Sequence, residues 1–206
     1  DFSLAGFGFA TDHYETLLRD GALTADKDIG LGGYVQLHEA DDTLAHLSEV
    51  LPLAPKFAQV LSAMELAALT GLTPRCGGIH YQRGGWLTPQ AVCRALLAHP
   101  LISLQGNCGP LSLSRRPDAL WKAIGPQGAV LAEADTAILA TAHAVLKEPA
   151  LEWLPLIAIR GQTTHLPTPP ELAQLSLAIC DQGYLPPARA GLHCLGASFG
   201  PGDAGT

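Results

Sequence analysis

The pattern of apolar positions changes near residue 100. Before that point apolar residues recur at helical spacing, and after it short alternating segments are separated by turn residues. The helical segments predicted from this pattern are 3–20, 41–50, 62–71 and 88–99. The predicted strands are 33–38, a hairpin at 77–86, a meander over 101–134, a buried strand at 134–141, a long strand at 154–166 and further antiparallel strands within 175–199. The sum is an α+β fold, with a mixed or antiparallel sheet packed by helices and a small β-meander.

Local signals fix several helix ends. Ser62 and Glu65 have the spacing of a capping box, and Gly71 stands where a left-handed residue would end that helix. Thr88 followed by Pro89 predicts another helix start, because proline is favoured at the first helical position.

Charge and hydropathy exclude several classes of protein. The 206 residues carry 12 basic and 19 acidic side chains, a net charge of −7, which is unusual for a stand-alone polyanion-binding module. Proline, glycine or charge interrupts every apolar run before the ~18 residues that a membrane helix needs. We therefore expect a cytoplasmic protein without a membrane segment. Asp1 at the start, in place of Met, predicts a processed chain or a piece of a longer one.

Cysteine and histidine spacing argues against disulfides and metal. The five cysteines are odd in number and widely spaced, with no C-x-x-C pair, and none of the eight histidines pairs with another at H-x-x-x-H spacing. We expect reduced thiols and no metal site.

Two polar spots stand out among the apolar strands of the second half, one at 160–162 and one at 183–187. Arg160 and Gln162 lie within the predicted strand 154–166, where a buried guanidinium needs a partner, either in a structural salt bridge or in a bound carboxylate. Tyr184, between glycine and prolines, presents its hydroxyl to a cavity or packs at a sheet edge. Local chemistry leaves both pairs of alternatives open.

Four segments, in order, carry a family resemblance. They are GGWLTP at 84–89, TAILAT at 136–141, RGQ at 160–162, and GYLPP at 183–187 leading to GAS at 196–198. Their order and spacing resemble the D-amino-acid-oxidase-type flavin oxidoreductases over roughly residues 7–203. Within that family, the chain is most similar to the branch that modifies the wobble uridine of tRNA.

The resemblance implies a division of the chain. Residues 1–87 and 150–206 would form the substrate-binding domain, and residues 88–149 would be part of the FAD domain. The family's N-terminal G-x-G-x-x-G unit and its C-terminal segment have no counterpart here. We therefore expect FAD in the parent protein, a colourless and inactive fragment when isolated, and a methyltransferase domain upstream if the tRNA branch is correct.

The resemblance also implies roles for six residues. Tyr184 would hydrogen-bond the substrate carboxylate, and Arg160 is a second catalytic candidate. Gln162 and Trp86 are candidates for substrate binding, with Trp86 either stacking on a base or covering the sheet. Thr141 and Pro110 match positions near the cofactor, although proline lacks the backbone N–H that the family donates to the adenine at that position.

The implied reaction is the oxidation of an amine that carries a carboxylate. In the tRNA branch, carboxymethylaminomethyl-uridine would lose its carboxymethyl group as glyoxylate, by oxidation of its α-carbon and hydrolysis of the imine. Positive charge for tRNA would come from Arg75, Arg83, Arg115, Arg116 and Arg189, or from absent segments. Two alternatives stay open: an oxidase of glycine, sarcosine or a D-amino acid, and a non-enzymatic binding module.

Overall fold

The computed structural model describes residues 2–39, 45–46, 48–49, 57–115, 120–148 and 151–201. The described residues of 1–98 and 161–200 form one compact unit, and those of 99–160 and 201–206 form another. Their identity as a substrate domain and part of a flavin domain stays a prediction. The helix predicted at 41–50 lies largely outside the described residues.

The elements that lie wholly within the described residues are three α-helices, two 3₁₀ helices and fourteen strands. The α-helices are Phe2–Arg19 (α1), Ala63–Thr70 (α2) and Pro89–Leu97 (α3), and the 3₁₀ helices are Ala142–Lys147 and Pro170–Leu172. The first seven strands are Ile29–Gly30 (β1), Tyr34–Leu37 (β2), Gln59–Leu61 (β3), Gly78–Tyr81 (β4), Trp86–Leu87 (β5), Ser112–Arg115 (β6) and Trp121–Ile124 (β7). The others are Val130–Ala134 (β8), Ile159–Arg160 (β9), Thr164–Pro167 (β10), Ala178–Cys180 (β11), Tyr184–Leu185 (β12), Leu192–Leu195 (β13) and Gly200–Pro201 (β14).

A five-stranded mixed sheet organises the first unit. Its strand order is β12-β11-β2-β4-β3, with β11 and β2 parallel and the other neighbours antiparallel. Separate antiparallel ribbons join β1 to β5 and β10 to β13. The second unit contains the antiparallel meander β6-β7-β8. The predicted α+β class is therefore confirmed.

Helix α2 begins and ends as predicted. The Ser62 hydroxyl accepts a bond from the Glu65 N–H, and the Glu65 carboxylate accepts one from the Ser62 N–H at 2.7 Å. A hydrogen bond from the Ser62 hydroxyl to the Glu65 carboxylate at 2.7 Å, together with the one from the Ser62 N–H, holds the pKa of Glu65 below its ordinary value. Gly71 ends the helix at φ 72°, in the left-handed region.

The core of the first unit has two clusters. Val35, Leu61, Leu66 and Leu177 pack α2 against one face of the five-stranded sheet. A second cluster joins α1 to α3 and β1, and its buried members are Leu23, Ile29, Ala91 and Val92.

Replacing Leu66 by Ala is expected to destabilise the fold by about 3 kcal/mol, because a fully buried leucine loses its transfer energy and leaves a cavity. Urea unfolding of the purified protein measures the change. Met64→Ala on the same helix is the control, because Met64 is 80% exposed and its loss should cost under about 0.5 kcal/mol. Equal costs for the two variants would contradict the assignment of Leu66 to the core.

The hairpin predicted at 77–86 is wrong. The Gly84 N–H bonds to the Tyr81 carbonyl and turns the chain, so β4 lies between β2 and β3, while β5 pairs with β1. A local glycine signal identified the turn, but the partners of the two strands are distant in sequence.

Three other strand predictions are corrected. Residues 101–105 are irregular, and so are residues 135–141, which follow the end of β8 at Ala134. Ile138 in the second segment is 87% exposed. An apolar run becomes a buried strand only beside hydrogen-bonding neighbours, and none pairs with 135–141 among the described residues. The strand predicted at 154–166 is two strands, β9 and β10, interrupted at residues 161–163.

Candidate functional site

Tyr184 projects from the edge strand β12 of the five-stranded sheet. Its N–H donates to the Gly196 carbonyl at 2.5 Å, and the Gly196 N–H donates to the Tyr184 carbonyl at 3.2 Å. The phenol ring lies against Gly196, where a Cβ atom would overlap it. Tyr184 remains 42% exposed.

An open cavity of about 320 Å³ adjoins Gly196. Its lining consists of Gln162, Thr164, Leu195, Gly196, Ala197 and Ser198. Two hydrogen bonds shape it: the Gln162 N–H donates to the Ser198 Oγ at 3.1 Å, and the Ser198 N–H donates to the Gln162 carbonyl at 3.0 Å. The lining contains no charged side chain.

Gly196 therefore brings two of the predicted site residues together. It contacts the ring of Tyr184 and lines the cavity with Gln162. The sequence interpretation quoted residues 196–198 in a motif but assigned no role to Gly196 or Ser198. The available signal was the GAS motif itself, but the contacts that give it a role join residues far apart in sequence.

Each residue of the Gly84-Gly85-Trp86 segment has a packing role. The Tyr34 ring fills the space where Gly84 lacks a Cβ, and the Gly30 carbonyl approaches Gly85 closely. The Trp86 indole packs against Gly30 in the same way.

Trp86 also makes a cation–π contact. The Arg189 guanidinium lies over the indole, 5.6 Å from the ring centroid, and its Nη1 donates to the Thr88 hydroxyl. This contact ties the segment between β12 and β13 to the start of α3 and leaves less of the indole for a ligand.

The other three predicted site residues belong to the second unit. Arg160 ends β9, is half-buried and has an interaction partner. Thr141 caps the 3₁₀ helix that begins at Ala142, and the exposed Pro110 follows Gly109 just before β6. Their roles stay predictions.

Several of the basic residues named above are already engaged. Arg83 forms ion pairs with Asp12 at 2.6 Å and Glu15 at 3.1 Å. Arg115 lies 5.7 Å from the centre of the Trp121 ring. Arg116 lies outside the described residues. These contacts weaken the case for a shared basic patch on this chain.

The described residues fit one end of a flavin nucleotide better than the other. The uncharged cavity beside Tyr184 suits a small substrate and the edge of a flavin ring. A pyrophosphate needs free N–H groups at a helix start. The Glu65 carboxylate occupies the start of α2, and the Thr88 N–H at the start of α3 donates to the Asp28 carbonyl at 2.7 Å. Neither helix start fits the phosphates.

Comparison with known proteins decides the family. Residues 6–206 match the family described as FAD dependent oxidoreductase. The chain belongs to this family. The predicted resemblance and the predicted FAD dependence are thereby confirmed.

Two curated relatives carry the same name, tRNA 5-methylaminomethyl-2-thiouridine biosynthesis bifunctional protein MnmC. The one from Stutzerimonas stutzeri is 40% identical over 155 residues, which are 75% of this chain and 23% of that protein. The one from Aeromonas hydrophila is 32% identical over 205 residues, 97% of this chain and 30% of that protein. The chain thus spans less than a third of the length of these relatives.

Solved structures agree on the fold. Glycine oxidase from Geobacillus kaustophilus superposes with a TM-score of 0.76 at 15% identity, over 98% of this chain and 57% of that one. Iminodiacetate oxidase from Chelativorans sp. BNC1 gives 0.70 at 18% identity, over 94% and 56%. No helix among the described residues has the length and hydropathy to cross a membrane.

Proposed function

We propose that this chain is the substrate-binding part of a flavoenzyme that removes the carboxymethyl group from carboxymethylaminomethyl-uridine in tRNA. The observation that carries the proposal is the exposed Tyr184 phenol resting on Gly196 at an uncharged cavity. The tRNA relatives, at 32–40% identity, support the choice of substrate. A tRNA substrate implies a cytoplasmic location.

Tyr184 would donate its hydroxyl proton to the substrate carboxylate. A phenol on an edge strand, backed by a glycine, is held in one position and pays little entropy on binding. Gln162 would border the same cavity, with its backbone fixed by Ser198.

The cavity lining would favour the neutral amine. The cavity is open to solvent, but no carboxylate in its lining stabilises a charged ammonium. A neutral amine is the form that can be oxidised at the adjacent carbon. The protein thereby contributes orientation and electrostatics.

The overall reaction balances with water and a two-electron acceptor. The carboxymethyl C–N bond is oxidised to an imine, and water cleaves it to glyoxylate and aminomethyl-uridine. FAD, when bound, supplies the two-electron acceptor. We propose that Thr141 and Pro110 face the cofactor, that Arg160 supports the carboxylate end and that Trp86 borders the substrate.

Anaerobic mixing tests the substrate class. The full-length, flavin-loaded protein is expected to lose its oxidised flavin absorbance with tRNA carrying carboxymethylaminomethyl-uridine, and to retain it with glycine or sarcosine. The matched control is the same tRNA with unmodified uridine.

The alternatives give different results in this experiment. Bleaching by glycine or sarcosine but not by tRNA would establish a small-molecule oxidase, which the net charge of −7 also favours. A full-length protein purified without flavin absorbance would indicate a non-enzymatic binding module.

A further inference from the structure

One face of the five-stranded sheet continues from Tyr184 toward the sheet centre. Strand register pairs Tyr184 with Cys180 and Cys180 with Gln36. Directly paired residues share a face, so these three side chains form one row across β12, β11 and β2. The row continues to Ile79 on β4.

A second row of side chains lies two residues away from the first along β2 and β4. Tyr34 on β2 pairs with Tyr81 on β4, and their rings stack with centroids 4.7 Å apart and planes 9° from parallel. Because side chains two residues apart share a face, this stack borders Gln36. The absent side chain at Gly84 leaves room for the Tyr34 ring.

Apart from Ile79, the two rows are polar without being charged. Burial, with smaller effects from Tyr81 and Cys180, raises the pKa of Tyr34 to about 12, so its hydroxyl keeps its proton at neutral pH. Burial also raises the pKa of the Cys180 thiol. Gln36 is half-buried, and the one described bond of its amide is a long 3.4 Å contact with the Leu37 carbonyl.

The spacing of the row suits a substrate with a carboxylate at one end and a ring at the other. The Tyr184 hydroxyl lies over Gly196, which pairs with Tyr184 on the side away from β11, so about three strand spacings, roughly 14 Å, separate it from the backbone of Gln36. A carboxymethylaminomethyl arm with the near edge of its pyrimidine extends roughly 8 Å at standard bond lengths, and a hydrogen bond of about 2.8 Å at each end brings the span to roughly 14 Å.

We propose that Gln36 is a specificity-determining residue whose amide hydrogen-bonds the N3–H and carbonyl edge of the substrate pyrimidine. The amide oxygen can accept a hydrogen bond from N3–H, and the amide NH₂ group can donate one to a carbonyl beside N3. The Tyr34–Tyr81 stack would support the amide from the side. This inference rests on the proposed function, because it assumes a pyrimidine substrate.

A substrate cycle on the full-length flavin-loaded enzyme tests the contact. The substrates are an anticodon stem-loop with carboxymethylaminomethyl-uridine and the same stem-loop methylated at N3. For the wild type, N3 methylation is expected to raise KM about ten-fold, the usual size of one lost hydrogen bond in a partly buried site.

Gln36→Leu should raise KM for the unmethylated substrate about ten-fold, keep kcat within about two-fold, and make the enzyme indifferent to N3 methylation. The matched control is Gln59→Leu. Gln59 pairs with His80, so it lies on the opposite face of the same sheet, and its loss should leave both KM values unchanged. Flavin content and melting temperature verify that each variant is folded.

The outcomes separate the two proposals. Independent, multiplying effects of Gln36→Leu and N3 methylation would overturn the contact while leaving the proposed function intact, and so would an unchanged KM in Gln36→Leu. If Gln36→Leu fails to fold, Gln36→Met, which keeps the length of the side chain and removes its amide, is measured in the same cycle, and a methylation penalty unchanged from wild type overturns the proposal. A wild-type enzyme that does not oxidise the unmethylated stem-loop would overturn the proposed function and this inference with it.

Discussion

Replacing Tyr184 by Phe is expected to lower kcat/KM for the amine substrate by about 10- to 100-fold. The substitution removes one hydroxyl donor to a carboxylate, and hydrogen bonds to charged groups contribute about 1.5–3 kcal/mol. The ring itself stays on Gly196, so the fold should be unaffected. Stopped-flow measurement of flavin reduction at several substrate concentrations gives the value directly.

Tyr14→Phe is the control for that experiment. Tyr14 is half-buried on α1, where it packs against the cluster that joins α1 to α3. Its hydroxyl has no role in the proposed site. Equal rates for wild type and Tyr184→Phe would remove Tyr184 from the site.

Gly196→Ala is expected to reduce kcat/KM at least as much as Tyr184→Phe. A Cβ at position 196 would overlap the ring and hydroxyl of Tyr184, so the phenol must leave its position against Gly196. The control is Gly161→Ala in the same region. A Cβ there meets only the Ser198 carbonyl oxygen at 3.5 Å and the Ala197 Cβ at 3.7 Å, which are ordinary contacts.

Kinetics and melting temperature together distinguish the explanations for Gly196→Ala. Loss of activity in this variant, with Gly161→Ala near wild type and both proteins melting normally, supports the positioning of Tyr184. Wild-type activity in Gly196→Ala would show that the position of the ring is unimportant for the reaction.

The sequence predicted best the elements that depend on neighbouring residues. The Ser62–Glu65 capping box and the left-handed Gly71 are interactions over a few residues, so pattern alone located α2. The same holds for α1 and for the start of α3 at Pro89. The meander β6-β7-β8 followed from alternation and turn residues.

The local sequence pattern could not predict which strands pair with each other. The paired glycines at 84–85 resembled a hairpin turn, but they admit the Tyr34 ring and the Gly30 carbonyl. Likewise, the apolar run at 136–140 gave no information about its partners, and it is irregular in the structure. Partner choice depends on contacts between distant segments, which a periodicity does not contain.

The site shows the same limit. Motif resemblance selected Tyr184 and Gln162; in the structure the Tyr184 ring lies against Gly196, and Gln162 and Gly196 line the same cavity. Gln36 had no motif to mark it, because its relation to Tyr184 passes through Cys180 and requires the register of three strands. Residues assembled by register become visible only once the sheet is known.

Product analysis of tRNA tests the central claim most directly. The full-length flavin-loaded protein is incubated aerobically with tRNA carrying carboxymethylaminomethyl-uridine, and the nucleosides and small acids are analysed by mass spectrometry. We expect aminomethyl-uridine and glyoxylate in equal amounts, with Tyr184→Phe producing both slowly. Unchanged carboxymethylaminomethyl-uridine, in a preparation whose flavin is intact and is reduced by glycine or sarcosine, would contradict the account.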